Sequence, residues 1–158
     1  MITKFVGQKN LMELNFRSTC PVSNVLDIYG DKWSLLIIRD LLIGRNTFSD
    51  FLEAPEKIAT NILVDRLKRL VSFGIIDFKR KPSDKKVKIY HLTSKGQELY
   101  PILVEMALWS RKNLEVDFHP LSYEVFNEID EIGVSKHIFN VLDNYKRSIK
   151  DSKETLTI

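Results

Sequence analysis

Between Thr47 and Leu92 the hydrophobic period changes once, from helical to alternating, and few folds accommodate that order of elements. Thr47-Phe48-Ser49-Asp50 is a Thr-x-x-acid arrangement in which the threonine caps a helix start and the acid answers it. It predicts a short helix through Glu53 or Ala54, stopped by Pro55. After a turn of a few residues, Leu63, Leu67, Leu70 and Val71 share one face of a second helix running from about Lys57 to Ser72, with Gly74 at its end. A brief helix and so short a turn suit the crossed pair of a helix-turn-helix. Beyond Gly74 the pattern alternates. Ile76 and Phe78 point one way and Asp77 and Lys79 the other, while Val87, Ile89 and His91 alternate with Lys88, Tyr90 and Leu92. These are two strands, connected by Arg80 to Lys86, where Pro82, Ser83 and Asp84 are turn residues. A helix-turn-helix followed directly by a hairpin is a winged helix, so the expected class is mainly α with a small β-hairpin.

Helical periodicity flanks this unit. From Val22 to Ile43, Val25, Tyr29, Trp33, Leu36 and Ile37 recur at three- and four-residue spacing, read as one mostly buried helix bent near Gly30, begun by Pro21 and closed by Gly44. Ser94-x-x-Gln97 reads as a second capping box, opening a helix with Leu99, Ile102, Leu103, Met106, Trp109 and Leu114 that Pro101 bends. His119-Pro120 breaks the pattern. One short helix around Phe126 and Ile129 and another around Val141 and Tyr145 follow, and residues 151–158 are expected to fray.

The formal charge of +3 matters less than its placement. Lys57 to Lys95 holds eleven basic residues against Asp65, Asp77 and Asp84, whereas acidic residues outnumber basic ones after Glu105. A basic centre between less basic ends is the footprint of a module that docks a polyanion. Other classes find little support. No apolar run approaches the roughly 20 residues that span a bilayer, and Met1 to Gln8 lacks the apolar core of a secretory signal, so a cytoplasmic location without membrane contact is expected. The single cysteine, Cys20, excludes an internal disulfide framework and a multi-cysteine zinc site. His91, His119 and His137 lack metal-ligand spacing, and there is no phosphate loop, Gly-x-Ser-x-Gly or His-Glu-x-x-His. No cofactor and no catalysis are called for.

These residues resemble the HxlR family of bacterial winged helix-turn-helix transcriptional regulators. The similarity is collinear, from Cys20-Pro21-Val22 through Gly30-Asp31-Lys32-Trp33, Phe48-Ser49-Asp50-Phe51 and the run Ile58 to Leu70, to Tyr90-His91-Leu92-Thr93-Ser94-Lys95-Gly96 and Trp109. The resemblance implies a homodimer held by helices flanking the winged domain, with the second helix of the motif in the major groove and the wing on phosphate or minor groove. It also implies repression or activation of genes in stress or small-molecule responses. The lysine-rich wing lacks the proline-proline-arginine run common in the family. The resulting division is a residue 1–19 arm making a dimer contact, a winged domain over 20–118, a helical extension over 119–150, and the tail.

On the second helix the wheel leaves Lys57, Asn61, Asp65 and Lys68 outward, with Thr60 beside the N-terminal turn. Asparagine pairs bidentately with adenine, and threonine contacts base or phosphate. Solvent exposure alone is the competing account of that face. Arg66 and Arg69 are open between DNA contact and structural pairing, Arg69 with Asp65 and Arg66 by packing its stem. In the wing, Lys79, Arg80, Lys81, Lys85, Lys86 and Lys88 suit backbone or minor-groove contact, although lysines also guard an exposed hairpin edge against aggregation. Cys20 precedes a helix start, which favours the reactive thiolate, and equivalent cysteines sense oxidants in some members of the similar family; a lone cysteine is otherwise a small hydrophobe. The expected partners are double-stranded DNA, a second copy of the chain, and a small-molecule or oxidant effector. The alternative is a winged helix used for protein association without specific DNA binding.

Overall fold

A computed structural model describes residues 16–154, with side chains through Asp151. Most of the expected N-terminal arm, residues 1–15, and the last four residues of the expected tail lie outside the described residues. Eight helices and one hairpin follow in order within the described residues: α1 (Pro21–Tyr29), α2 (Ser34–Leu42), α3 (Phe48–Leu52), α4 (Thr60–Ser72), β1 (Ile76–Lys81), β2 (Asp84–Leu92), α5 (Ser94–Gln97), α6 (Tyr100–Asn113), α7 (Pro120–Ile132) and α8 (Val134–Glu154). The winged helix expected from the change of period is present. Among the described residues no helix is long and apolar enough to cross a membrane.

The helix read over Val22 to Ile43 is two helices. The Asp31 carboxylate accepts hydrogen bonds from the Trp33 and Ser34 backbone N–H groups at 2.9 and 3.0 Å, so its side chain starts α2 afresh instead of letting the turn continue. The two halves also differ in burial. α2 buries Ile37, Ile38 and Leu41, whereas Val22 and Leu26 of α1 are exposed, so the first half is not the buried helix expected.

Thr47 caps α3 as predicted: its hydroxyl accepts from the Asp50 N–H, and Asp50 Oδ2 accepts from the Thr47 N–H at 2.8 Å. The connection to α4 is longer than expected and Lys57 belongs to it. Lys57 adopts a left-handed φ of 53°, Ile58 drops into the core, and α4 starts only at Thr60. Burying Ile58 draws the chain out of helical geometry, which places Lys57 on the turn rather than the helix face. At the far end the Gly74 N–H bonds the Val71 carbonyl and the Ile75 N–H bonds the Leu70 carbonyl, both at 2.9 Å. This double closure requires a left-handed residue, and Gly74 supplies it with φ 67°.

The hairpin pairs Ile76 with Leu92 and Phe78 with Tyr90, and its strands run to Lys81 and from Asp84, leaving only Pro82 and Ser83 as the turn. Arg80, Lys81, Lys85 and Lys86 therefore stand on strands rather than in the loop predicted at Arg80 to Lys86. Tyr90 packs against Phe51 and Phe78, with ring centroids 6.1 and 5.7 Å apart, locking the hairpin to α3. The outer edge of β2 is closed by other elements. The Tyr90 N–H bonds the Asn46 carbonyl at 2.8 Å, and the Leu92 N–H bonds the Tyr145 hydroxyl of α8 at 2.9 Å.

Thr93, not Ser94, caps the next helix, with its hydroxyl accepting from the Gly96 N–H at 3.1 Å. That helix, α5, ends at Gln97, and Pro101 lies in the first turn of a separate α6 rather than bending a continuous one. Proline is tolerated there because the first helical N–H groups have no partner inside the helix. α6 leaves Ile102, Met106 and Trp109 in solvent, on one face by their four- and three-residue spacing. α7 begins at Pro120, at the predicted break, but α8 is 21 residues long and continues through residues 151–154, where fraying was expected. His137 of α8 is buried, facing Glu128 of α7 at 3.0 Å through Nδ1 and the Tyr100 hydroxyl of α6 at 2.8 Å through Nε2. Burial first, and the Glu128 charge second, push the Tyr100 hydroxyl up to about 12. Tyr145 joins the cluster that includes Ile38, Leu63, Leu70 and Leu92, so the extension shares the core of the winged unit.

Candidate nucleic-acid interface

α4 seats itself by burying Leu63, Leu67 and Leu70, and this leaves Thr60, Asn61, Asp65 and Lys68 exposed on its opposite side. That face stays open with α7 and α8 in place. Lys57, expected on the same face, is exposed on the preceding turn.

Both arginines of α4 have partners within the fold. Arg66 Nε lies 2.9 Å from Asp31 Oδ1, and its NH1 lies 2.6 Å from Asp65 Oδ2. Arg69 does not pair with Asp65; its guanidinium donates to the carbonyls of Asp27 and Ile28 at the end of α1, the latter at 3.2 Å, and stacks on Phe73. A cation at a helix C-terminus satisfies carbonyls that have no partner inside the helix. Both arginines thereby clamp α4 to the α1–α2 corner. Burial pushes the Asp31 carboxyl up, but the bonds from Ser34 and the Trp33 and Ser34 N–H groups, with the Arg66 charge, bring it below its ordinary value.

A second cluster fixes the turn of the motif, and the sequence reading missed it. Arg39 of α2 grips Glu56 with two bonds of 2.6 and 3.0 Å and also meets Asp40 at 2.8 Å. Asp40 is 3% exposed and faces Arg45 as well, at 3.3 Å. The Arg39 guanidinium holds the Glu56 carboxyl below its usual range. The available signal was Asp40 itself, a carboxylate inside the apolar stripe Ile37-Ile38-Leu41, since a buried charge demands a partner.

In the wing, Lys79, Arg80, Lys81, Lys85 and Lys86 are exposed. Arg80 NH1 donates to the Lys85 carbonyl at 2.7 Å, stiffening the tip. Lys88 differs from the others: it is half-buried, with its ammonium 4.1 Å from the Phe78 ring centroid, a cation–π contact inside the hairpin. Cys20 is exposed and precedes the first residue of α1.

Residues 28–118 match the family described as HxlR-like helix-turn-helix. The chain is 34% identical over 87 residues to the HTH-type transcriptional regulator sll1512 of Synechocystis, a match covering 55% of this chain and 64% of that relative. It is 31% identical over 106 residues to the HTH-type transcriptional regulator YvaP of Bacillus subtilis, covering 66% of this chain and 98% of the relative. Two solved structures share the fold. The reduced form of the transcriptional regulator YodB from B. subtilis has a TM-score of 0.51 at 32% identity, covering 62% of this chain and 97% of that one. The redox regulator HypR in its oxidized form has a TM-score of 0.55 at 30% identity, covering 61% and 100%. The family match ends before α7, so α7 and α8 lie outside it. With more than half its length in that match and its winged helix-turn-helix in place, the chain belongs to the HxlR-like helix-turn-helix family of transcriptional regulators.

Proposed function

We propose that the protein is a cytoplasmic homodimer that binds a pseudo-palindromic DNA operator, with α4 in the major groove and the wing on backbone phosphates or in the minor groove. The observation that carries this reading is the pairing, on one compact unit, of an open α4 face bearing Thr60, Asn61 and Lys68 with an exposed cationic hairpin. Lys57, on the turn before α4, and Lys79, Arg80, Lys81, Lys85 and Lys86 serve as phosphate contacts; Lys88 contributes through its hold on Phe78. Dimerisation is supported by two apolar faces exposed among the described residues, Val22 and Leu26 of α1 and Ile102, Met106 and Trp109 of α6, Trp109 being 61% exposed. The winged unit spans residues 20–118 with α7 and α8 as its helical extension. Cys20 is the candidate oxidant sensor, in keeping with its exposure and with the similarity to HypR.

The test is binding to fragments selected from genomic DNA, across a salt series. Lys85→Ala with Lys86→Ala weakens binding to all sequences and flattens log K against log salt by about one for each phosphate no longer neutralised. Asn61→Ala instead changes sequence preference, at about 1–3 kcal/mol for the affected base pair. Equal loss of specific and random binding in Asn61→Ala would refute the division of labour, and no binding to any duplex would favour protein association instead. Diamide treatment that leaves wild-type binding unchanged rules out Cys20 as the sensor.

A further inference from the structure

α8 does not close completely onto the winged unit. Between it and the hairpin lies an open groove of about 620 Å³, within the roughly 300–1,000 Å³ of small-molecule sites. Leu42 and Ile43 at the end of α2, with Ile89 of β2, form one wall, and Val141 and Ile149 of α8 form the other. Ile43 is 57% exposed at the rim, apolar surface that the described residues leave uncovered. The polar side chains along it are Asn46, His91, Asn144, Tyr145 and Ser148, and Lys79 on β1 brings an ammonium with no ion-pair partner among the described residues. Lys79 stands opposite Ile89 in the hairpin register, so its side chain shares the face that forms the groove. Asp77, the acid two residues along that face, does not line the groove and accepts the Phe78 N–H through Oδ1. A largely apolar trough with one lysine ammonium beside side-chain amides, hydroxyls and an imidazole, and no carboxylate in its lining, is complementary to an apolar body bearing one carboxylate.

We propose that this groove binds a small amphipathic monocarboxylate, its apolar body between α8 and β2 and its carboxylate on Lys79, and that occupation weakens DNA binding. The second half rests on the function proposed above, because the same lysine is there a phosphate contact. A carboxylate on Lys79 competes directly with DNA phosphate for that ammonium. Giving up one phosphate on each protomer costs about fivefold per contact at physiological salt, about 25-fold for the dimer, and reduces the salt slope by about two.

The experiment uses the full chain and four probes: octanoate and benzoate as carboxylates, octanol as the uncharged control, and octylamine as the cationic one. Titration calorimetry and thermal unfolding, without DNA, are expected to show saturable binding of at least one carboxylate, octanol about tenfold weaker, and no octylamine binding. Lys79→Ala reduces carboxylate binding to the octanol level. Asn144→Trp, an exposed α8 position outside the DNA-binding set, fills the groove and abolishes binding; Ser148→Leu serves if the tryptophan variant fails to fold. Neither carboxylate saturating, octylamine binding as tightly as octanoate, or unchanged binding in both the Lys79 and α8 variants overturns the site. So does an Asn144→Trp variant whose sedimentation shows a changed oligomeric state, since a second copy would then be the occupant. In the DNA arm, the bound carboxylate lowers wild-type affinity about 25-fold, about fivefold for each protomer, and leaves Asn144→Trp unaffected. Carboxylate binding with unaltered DNA affinity overturns the coupling alone. Carboxylate binding by a protein that binds no DNA leaves the site standing and removes the proposed function.

Discussion

Tyr145→Phe deletes a single oxygen from the joint between α8 and β2 and leaves the ring that packs there. The Leu92 N–H it receives has no other acceptor in the hairpin, because β1 lies on the opposite edge of β2. Leu92 is 1% exposed and Tyr145 8%, so water does not reach the orphaned donor without moving α8. A buried amide left unpaired costs about 1–3 kcal/mol. For a chain of this size each kcal/mol moves Tm by about 2–4 °C, which places the expected drop between about 2 and 12 °C. Calorimetry of wild type and variant reads the total, and hydrogen exchange at the Leu92 amide reads the local event, which should accelerate more than that of its neighbours within β2. Tyr145→Ala, which also removes the ring, should cost more, roughly 3–5 kcal/mol. If Tyr145→Phe leaves both Tm and Leu92 exchange at wild-type values, α8 does not close that edge, and the groove beside it has no far wall.

Gly96→Ala should be far more severe than its one methyl suggests. A Cβ there would stand 2.1 Å from the Ile75 carbonyl oxygen, backbone against backbone, so the variant should lose several kcal/mol or fail to accumulate folded, as expression yield and circular dichroism will show. Acid should weaken the contacts of α2 only below the ordinary carboxylate range. The Glu56 and Asp31 carboxyls are both held below their ordinary values, so their stabilising contribution is complete above the unfolded carboxylate range, about pH 4, and is lost as pH falls through the lower folded values. Glu56→Gln should therefore flatten the acid limb of a Tm-against-pH profile while leaving its neutral plateau only slightly lower; an unchanged acid limb would discount the Arg39 pair.

What is legible in the sequence is what neighbours in the chain decide. Thr47 and Asp50 cap α3 across three residues, and Leu63, Leu67 and Leu70 define their helix by spacing alone. The break before α2 is hidden because the apolar stripe runs through it uninterrupted while the cause, one carboxylate turned back on two backbone N–H groups, leaves the pattern intact. The start of α4 is misplaced for a similar reason: Ile58 is pulled inward by the core, and periodicity does not report that. The hairpin reads too short because its outer strands are almost all lysine and arginine, with no alternation to follow. The candidate interface is largely visible as an outward face and a charge cluster. The partners of Arg69 are not, since they are carbonyls 41 and 42 residues away.

The guanidinium fork is the side chain that matches the O6 and N7 pair of guanine, and α4 keeps both of its forks turned back toward α1 and Asp31. Under the proposed docking, the vocabulary left to this helix is an amide, a hydroxyl, an ammonium and the Asp65 carboxylate that Arg66 holds, so any guanine is left to Lys68. Drift toward a guanine-rich target would have to release Arg66 or Arg69, and each release would loosen the corner that aims the helix. Base preference and rigidity are thus wired to the same two residues, so one cannot be retuned without disturbing the other.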